Sequence, residues 1–131
     1  MSEAERAPGP RAGASLQTIA MPTDTNANGD IFGGWLMGQM DLGASVVART
    51  VAQGRVATVA VSDMLFHHPV RVGDVVSIFP TVDRLGRTSI TLNVEARIFN
   101  AETGDERRVV ETRIVFVAID HDGKPRQLPP Q

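Results

Sequence analysis

"DIFGGWLMGQMDLGASVVA", residues 30–48, reads as a helix of the protein interior with one residue out of place. Between Trp35 and Ala48 nearly every position is apolar or small. Proline is absent and Met, Leu and Ala are frequent, so the span from about 33 to 52 is expected to run as one helix. A helix apolar on almost all sides belongs in a core. Asp41 sits in its middle, where a carboxylate lowers helix propensity and, if desolvated, is costly. Either that charge does chemistry, or it caps or pairs within the core, or its face of the helix is open to water. Gly38 and Gly43 each weaken the helix by about 1 kcal/mol relative to alanine, which points to close packing against another backbone.

Working outward, "SLQTIAMP" (15–22) predicts a short strand stopped by Pro22, and "TDTNANGD" (23–30) is a cluster of turn and N-cap residues leading into the helix. Everything after Gly54 reads as strand. "RVATVAVSDMLFHHP" and "GDVVSIFPTVDRLG" are rich in β-branched residues. "RTSITLNVEARIF" alternates cleanly, with Ile90, Leu92, Val94, Ala96 and Ile98 on one face and Ser89, Thr91, Asn93, Glu95 and Arg97 on the other. That is the pattern of an antiparallel strand with one wet face. "RRVVETRIVFVAID" runs back after the turn "AETGD", and "HDGKPRQLPPQ" is expected to fray. The expectation is an α+β domain over 15–131, a four-strand meander plus a leading strand curled around one long helix, preceded by a loose tail over 1–14. Such a unit has one open face and invites dimerisation.

The chain has 131 residues, one domain by length. Its formal charge of -2 supplies no basic field to recruit nucleic acid or an anionic membrane, so any anionic ligand must be held by local groups. The absence of cysteine excludes disulfides, thiolate metal sites and a Cys nucleophile. No stretch resembles an export signal or a bilayer-spanning segment, which predicts a cytoplasmic protein. No nucleotide-binding loop, zinc spacing or nucleophilic serine motif is present. His67 and His68, neighbours at a strand end, should point to opposite faces and make no metal pair.

The segments "AMPTDTNANGDIFGGWLMGQMDLGA", "GRVATVAV", "FHHPV", "VGDVV" and "LGRTSI" closely resemble the YciA-type acyl-coenzyme A thioesterases of the hotdog fold, over about residues 16–128. The resemblance implies an antiparallel sheet wrapped around a long central helix, a homodimer often assembled further into hexamers, and hydrolysis of acyl-CoA to free acid and coenzyme A. Coenzyme A is then part of substrate and product, and no metal or other cofactor is needed. It also implies that the helix carboxylate performs the hydrolysis, here Asp41, that Asp30 lines the acyl site, and that the Arg87 segment contacts CoA.

Thioester hydrolysis needs an attacking group and donors for the oxyanion that develops. Asp41 can serve as general base on a water or as nucleophile. Gly33 and Gly34 open the helix, where backbone N–H groups lack intrahelical acceptors, and without side chains they let a thioester oxygen approach. Asn28 and Asp30 precede them in a stretch that can equally be a plain turn and cap. Arg87, with Thr88 and Ser89, offers phosphate donors beside a hairpin turn, and Arg55 and Thr58 are further candidates. Eight residues separate Gly33 from Asp41, about 12 Å along a helix. One carbonyl cannot touch both, so the two groups serving one substrate are expected from different subunits. A non-catalytic acyl-CoA sensing module is the alternative, though its usual DNA-binding segment has no room in a fourteen-residue tail. A hotdog hydratase would want an Asp and His pair, and no histidine is expected in or near the helix.

Overall fold

The computed structural model describes residues 13–131, so the expected tail lies almost wholly outside the described residues. Helix α1 runs over Gly33–Ala52, as its composition predicts. Six strands form one antiparallel sheet: β1 (Leu16–Ile19), β2 (Val56–Val61), β3 (Leu65–Phe66), β4 (Val75–Leu85), β5 (Ser89–Phe99) and β6 (Glu106–Ala118). Their order is β1-β4-β5-β6-β2, with β3 also on β6. The sheet curls around α1, which packs against β1, β2, β4, β5 and β6, while the Phe66 ring of β3 lies beside Gly33 at the helix start. This is the hotdog α+β fold.

The core lies between helix and sheet. Leu36, Met40, Gly43, Ala44, Ala48 and Ala52 recur every three or four residues and form the buried face of α1. Opposite them lie Val76 and Ile78 of β4, the five alternating apolar residues of β5, and Val110, Ile114, Phe116 and Ala118 of β6. Burying one such side chain is worth roughly 1.5–3 kcal/mol. Across the sheet, Arg97 bridges Glu95 and Glu106, and Arg108 bridges Glu95 and Glu111. The polar row of β5 supplies this wet face, apart from Thr91, which is buried.

Several expectations need correction. Only β4, β5 and β6 form a meander. β2 crosses to the far side and pairs with β6, because β1 already occupies the second edge of β4. The segment 55–69 is two strands, broken at 62–64, where Ser62 N donates to Arg113 O and Thr112 Oγ1 donates to Ser62 O. The helix is not apolar-buried on all sides: Met37, Leu42 and Val46 are exposed in the single chain. Gly43 does sit in close contact, since a Cβ there would lie 2.7 Å from Ile78 Cγ2, but around Gly38 nothing lies within 4 Å.

The C-terminal residues do not fray. Asp120 makes a turn in which its Oδ1 accepts the N–H groups of Asp122 and Lys124. The chain then doubles back, and Arg126 N donates to Ala118 O. The Arg126 guanidinium caps the end of α1 through Ala52 O at 2.9 Å and also bonds Ile119 O. Cations at helix C-termini satisfy orphan carbonyls and the dipole together. Gly54 makes room for it, as a Cβ there would meet Arg126 Nη2 at 2.9 Å.

Candidate active site

The loop ahead of α1 is built by Asn26. Its Oδ1 accepts the N–H groups of Asn28 and Asp30, and its own N–H donates to Asp30 O at 2.7 Å. Gly29, at φ 82°, supplies the left-handed residue the reversal requires. Phe32 N is anchored on Asp24 O and Ile31 N on Val70 O, which fixes the direction in which the chain enters the helix. The first intrahelical bonds run from Trp35 and Leu36 to Phe32 O. Among the described residues, the N–H groups of Gly33 and Gly34 have no acceptor, and no side chain caps them. They are free donors at the positive end of the helix dipole.

Gly33 borders a cavity of about 290 Å³ lined also by Asp30, Ile31, Leu36, Phe66 and the residues 67–70, whereas Gly34 is not part of its lining. The Phe66 ring would stand 3.6 Å from a Cβ on Gly33, so the missing side chain keeps this mouth open. Asn28, expected here, is exposed on the loop and does not line the cavity. His67 and His68 both line it, and His68 also lines the neighbouring cavity beside Arg71 and Asp74. They follow the end of β3, and the fold brings them beside the helix start, contrary to the expectation that no histidine lies near the helix. Among the described residues no three His, Asp or Glu side chains are grouped to hold a metal ion.

Asp41 is elsewhere. It is half-buried rather than desolvated, and its Oδ1 accepts a hydrogen bond from Thr58 Oγ1 at 2.7 Å. Strand register locates the surroundings of the helix start and of Asp41 on the sheet: Phe66 is opposite Val110, and Thr58 is opposite Phe116. Six residues of β6 span about 20 Å at 3.3 Å each. The helix start and the carboxylate therefore face different ends of the same chain. Arg87, Thr88 and Ser89 lie at the Asp41 end, since Ile90 is also opposite Phe116. Arg87 is exposed and, among the described residues, has no ion pair. Arg55 is occupied, with Nη1 donating to Asp120 O and His121 O.

Thr58 was a candidate in the sequence, but its hydrogen bond to Asp41 was not foreseen, because seventeen residues separate the two. The signal for Asn26 was present in the turn cluster, but nothing in the sequence distinguished it from Asn28.

Comparison with known proteins agrees with this architecture. Residues 28–105 match the family model of the thioesterase superfamily. The acyl-CoA thioester hydrolase YciA of Salmonella typhimurium is 48% identical over 125 residues, covering 93% of this chain and 94% of that protein. The hexameric thioesterase of Yersinia pestis is 49% identical, with a TM-score of 0.87 over 93% of this chain and 99% of that one. An acyl-CoA hydrolase of Staphylococcus aureus is 28% identical, with a TM-score of 0.81 over 87% of this chain and 68% of that one; it has been solved with an asparagine replaced by alanine. A second mutant of it replaces an aspartate fifteen positions further on. With its sheet order, its central helix and this degree of identity, the chain belongs to the YciA-type acyl-coenzyme A thioesterases of the hotdog fold.

Proposed function

We propose that the protein hydrolyses acyl-coenzyme A thioesters to a free carboxylic acid and coenzyme A, in sites shared between two copies of the chain. The observation that carries this reading is the separation of two complementary half-sites. Free N–H donors and a cavity stand at one end, and a positioned carboxylate at the other. A twofold axis running between two helices brings each half-site of one copy against the other half-site of its partner. The outer edge of β2 is unpaired in the single chain, with Val59 and Val61 exposed beside it. Pairing that edge with its own copy covers it, which edge strands require. The exposed apolar residues of α1, Met37, Leu42 and Val46, are left uncovered by the sheet. A dimer is the unit, and the hexameric assembly of the Yersinia protein supports further association.

In this site the carbonyl oxygen sits on the N–H groups of Gly33 and Gly34. Asp41 of the other copy takes a proton from the attacking water, or attacks the carbonyl carbon itself to give a mixed anhydride that water then opens. In the first route the oxyanion collapses and expels the thiolate of coenzyme A, which takes the proton held by Asp41; in the second the thiolate leaves as the anhydride forms and takes its proton from the water that opens it. Thr58 holds one carboxylate oxygen and leaves the other for the reaction. Asn26 stands fifteen residues before Asp41, the same spacing as the two residues replaced in the Staphylococcus enzyme. That spacing supports Asn26 rather than Asn28 as the loop residue that builds the site, with Asp30 lining the acyl cavity. Arg87 is about 10 Å along β5 and two strand spacings across from Thr58. This suits a phosphate contact remote from the reacting carbonyl, with Thr88 and Ser89 beside it. Coenzyme A is substrate and product here, and the reaction draws on no metal or further cofactor.

The test is release of free CoA thiol across a panel of acyl-CoAs by wild type and Asp41→Asn. The near-isosteric amide should keep the fold and CoA binding and lose at least about 10²-fold in kcat. Wild-type turnover in that variant would remove Asp41 from the mechanism. His67 and His68 beside Asp30 justify an enoyl-CoA in the panel: hydration without thiol release would favour a hydratase.

A further inference from the structure

The β4–β5 turn that carries Arg87 is held from outside its own hairpin. Within the hairpin Gly86 N donates to Ser89 O at 2.8 Å. The two carbonyls at the tip are taken by another part of the chain: Ala118 N donates to Thr88 O, and Leu128 N donates to Arg87 O, each at 2.9 Å. Leu128 belongs to the returning C-terminal segment and its side chain packs against the core. The same segment is fastened to the end of α1 through Arg126 to Ala52 O and Gln131 Nε2 to Val51 O. One strap thus ties the C-terminal end of the helix to the backbone of an exposed arginine.

We propose that residues 126–131 act as this positioning strap, and that Leu128, through its backbone N–H, is a positioning residue for Arg87 in binding the phosphates of coenzyme A. The proposal rests on reading Arg87 as a phosphate contact. A hairpin tip with free carbonyls samples many backbone states, and ordering it on binding costs affinity. With the carbonyl of Arg87 already bound, the backbone is fixed before ligand arrives and only the side chain remains to be ordered. The benefit applies to substrates that carry phosphates and to no others. The strap contacts neither Asp41 nor the helix start, so it leaves the chemical step untouched.

The experiment measures kcat and KM for butyryl-CoA and for S-butyryl-pantetheine, which lacks every phosphate. Leu128→Pro removes the donor N–H, and should raise KM for butyryl-CoA roughly three- to tenfold while leaving kcat and the pantetheine constants near wild type. Leu128→Ala keeps the N–H and trims the side chain, and should bind butyryl-CoA almost normally. A chain ending at Gln127 removes donor and side chain together, and should reproduce the Leu128→Pro split if that variant fails to fold. An equal loss on both substrates, or an Ala effect as large as the Pro effect, overturns the strap. Arg87→Ala run alongside separates the two readings. If it raises KM only for butyryl-CoA while the strap variants do not, the strap alone is overturned. If it changes nothing, Arg87 is no phosphate contact and both readings fall.

Discussion

Thr58 Oγ1 donates to Asp41 Oδ1 across 2.7 Å, joining the edge strand β2 to the middle of α1. The pairing of β2 with β6 slips between Thr58 and Ala60, leaving Val59 out of register. A bulge of this kind re-aims the neighbouring side chain, and bulges recur beside active sites for that reason. A hydrogen bond to a charged group contributes about 1.5–3 kcal/mol. Thr58→Val should therefore lower kcat about tenfold or more with KM little changed, and Thr58→Ser should restore most of the loss. If Val and Ser variants turn over alike, the hydroxyl has no part in positioning Asp41.

Gly43 and Gly38 offer opposite outcomes from the same substitution. Ala at 43 places a methyl 2.7 Å from Ile78 Cγ2 in the helix–sheet contact. Overpacking of this kind costs about 1–3 kcal/mol, more than the roughly 1 kcal/mol gained in helix propensity. Gly43→Ala should lower the denaturation midpoint. At Gly38 a methyl meets nothing in the single chain, so Gly38→Ala should raise the midpoint unless the partner copy covers that face. Urea titration at two protein concentrations distinguishes these cases, because a clash with the partner would weaken dimerisation and make the midpoint more concentration-dependent.

The Asp120 carboxyl lies below the ordinary value of 3.8, chiefly because it accepts the Lys124 N–H. Desolvation opposes this, while the Asp122 N–H and the charges of His121 and Arg55 add to it. A carboxyl depressed in the folded state stabilises it above the unfolded pKa, and that stability is lost as pH falls through the folded pKa. Asp120→Asn should therefore melt below wild type at neutral pH, and the difference should shrink in strongly acidic solution, as pH falls through the depressed folded pKa. A constant difference at both pH values would show that shape rather than charge holds this turn.

What was legible in the sequence follows the range of the interactions. The limits of α1 are local, set by the turn cluster before Gly33 and by the left-handed Gln53 with Gly54 after it, and they agree with the expected span of about 33 to 52. The alternation of β5 is likewise local, and its five inward residues are all buried. The crossing of β2 to β6 depends on which sheet edge is free, and the fastening of Arg126 and Leu128 depends on carbonyls 74 and 41 residues away. No window of sequence contains both partners of such contacts. Asp41 stood out as a charge among apolar residues, and the structure shows it half-buried and hydrogen-bonded to Thr58.

The shared site can be tested by mixing two inactive chains. Gly34→Pro removes one donor N–H at the helix start, a position where proline is tolerated. A Cβ there would stand 2.8 Å from the exposed Phe32 ring, so Gly34→Ala, which adds the Cβ but keeps the N–H, is the control for that contact and should retain most activity. Asp41→Ala removes the carboxylate. Each homodimer should be nearly inactive, for a different reason. If every site takes its helix start from one chain and its carboxylate from the other, a mixed dimer has one site with both parts intact and one with both defects. Random pairing of equal amounts makes half the dimers mixed, each with one good site of two, so activity should return to about a quarter of wild type. If both parts came from one chain, every site would carry a defect and mixing would restore nothing. CoA release after co-refolding is compared with each mutant refolded alone, with subunit exchange confirmed by differently tagged chains. Exchange without recovery, with both chains folded, would reject the two-copy site.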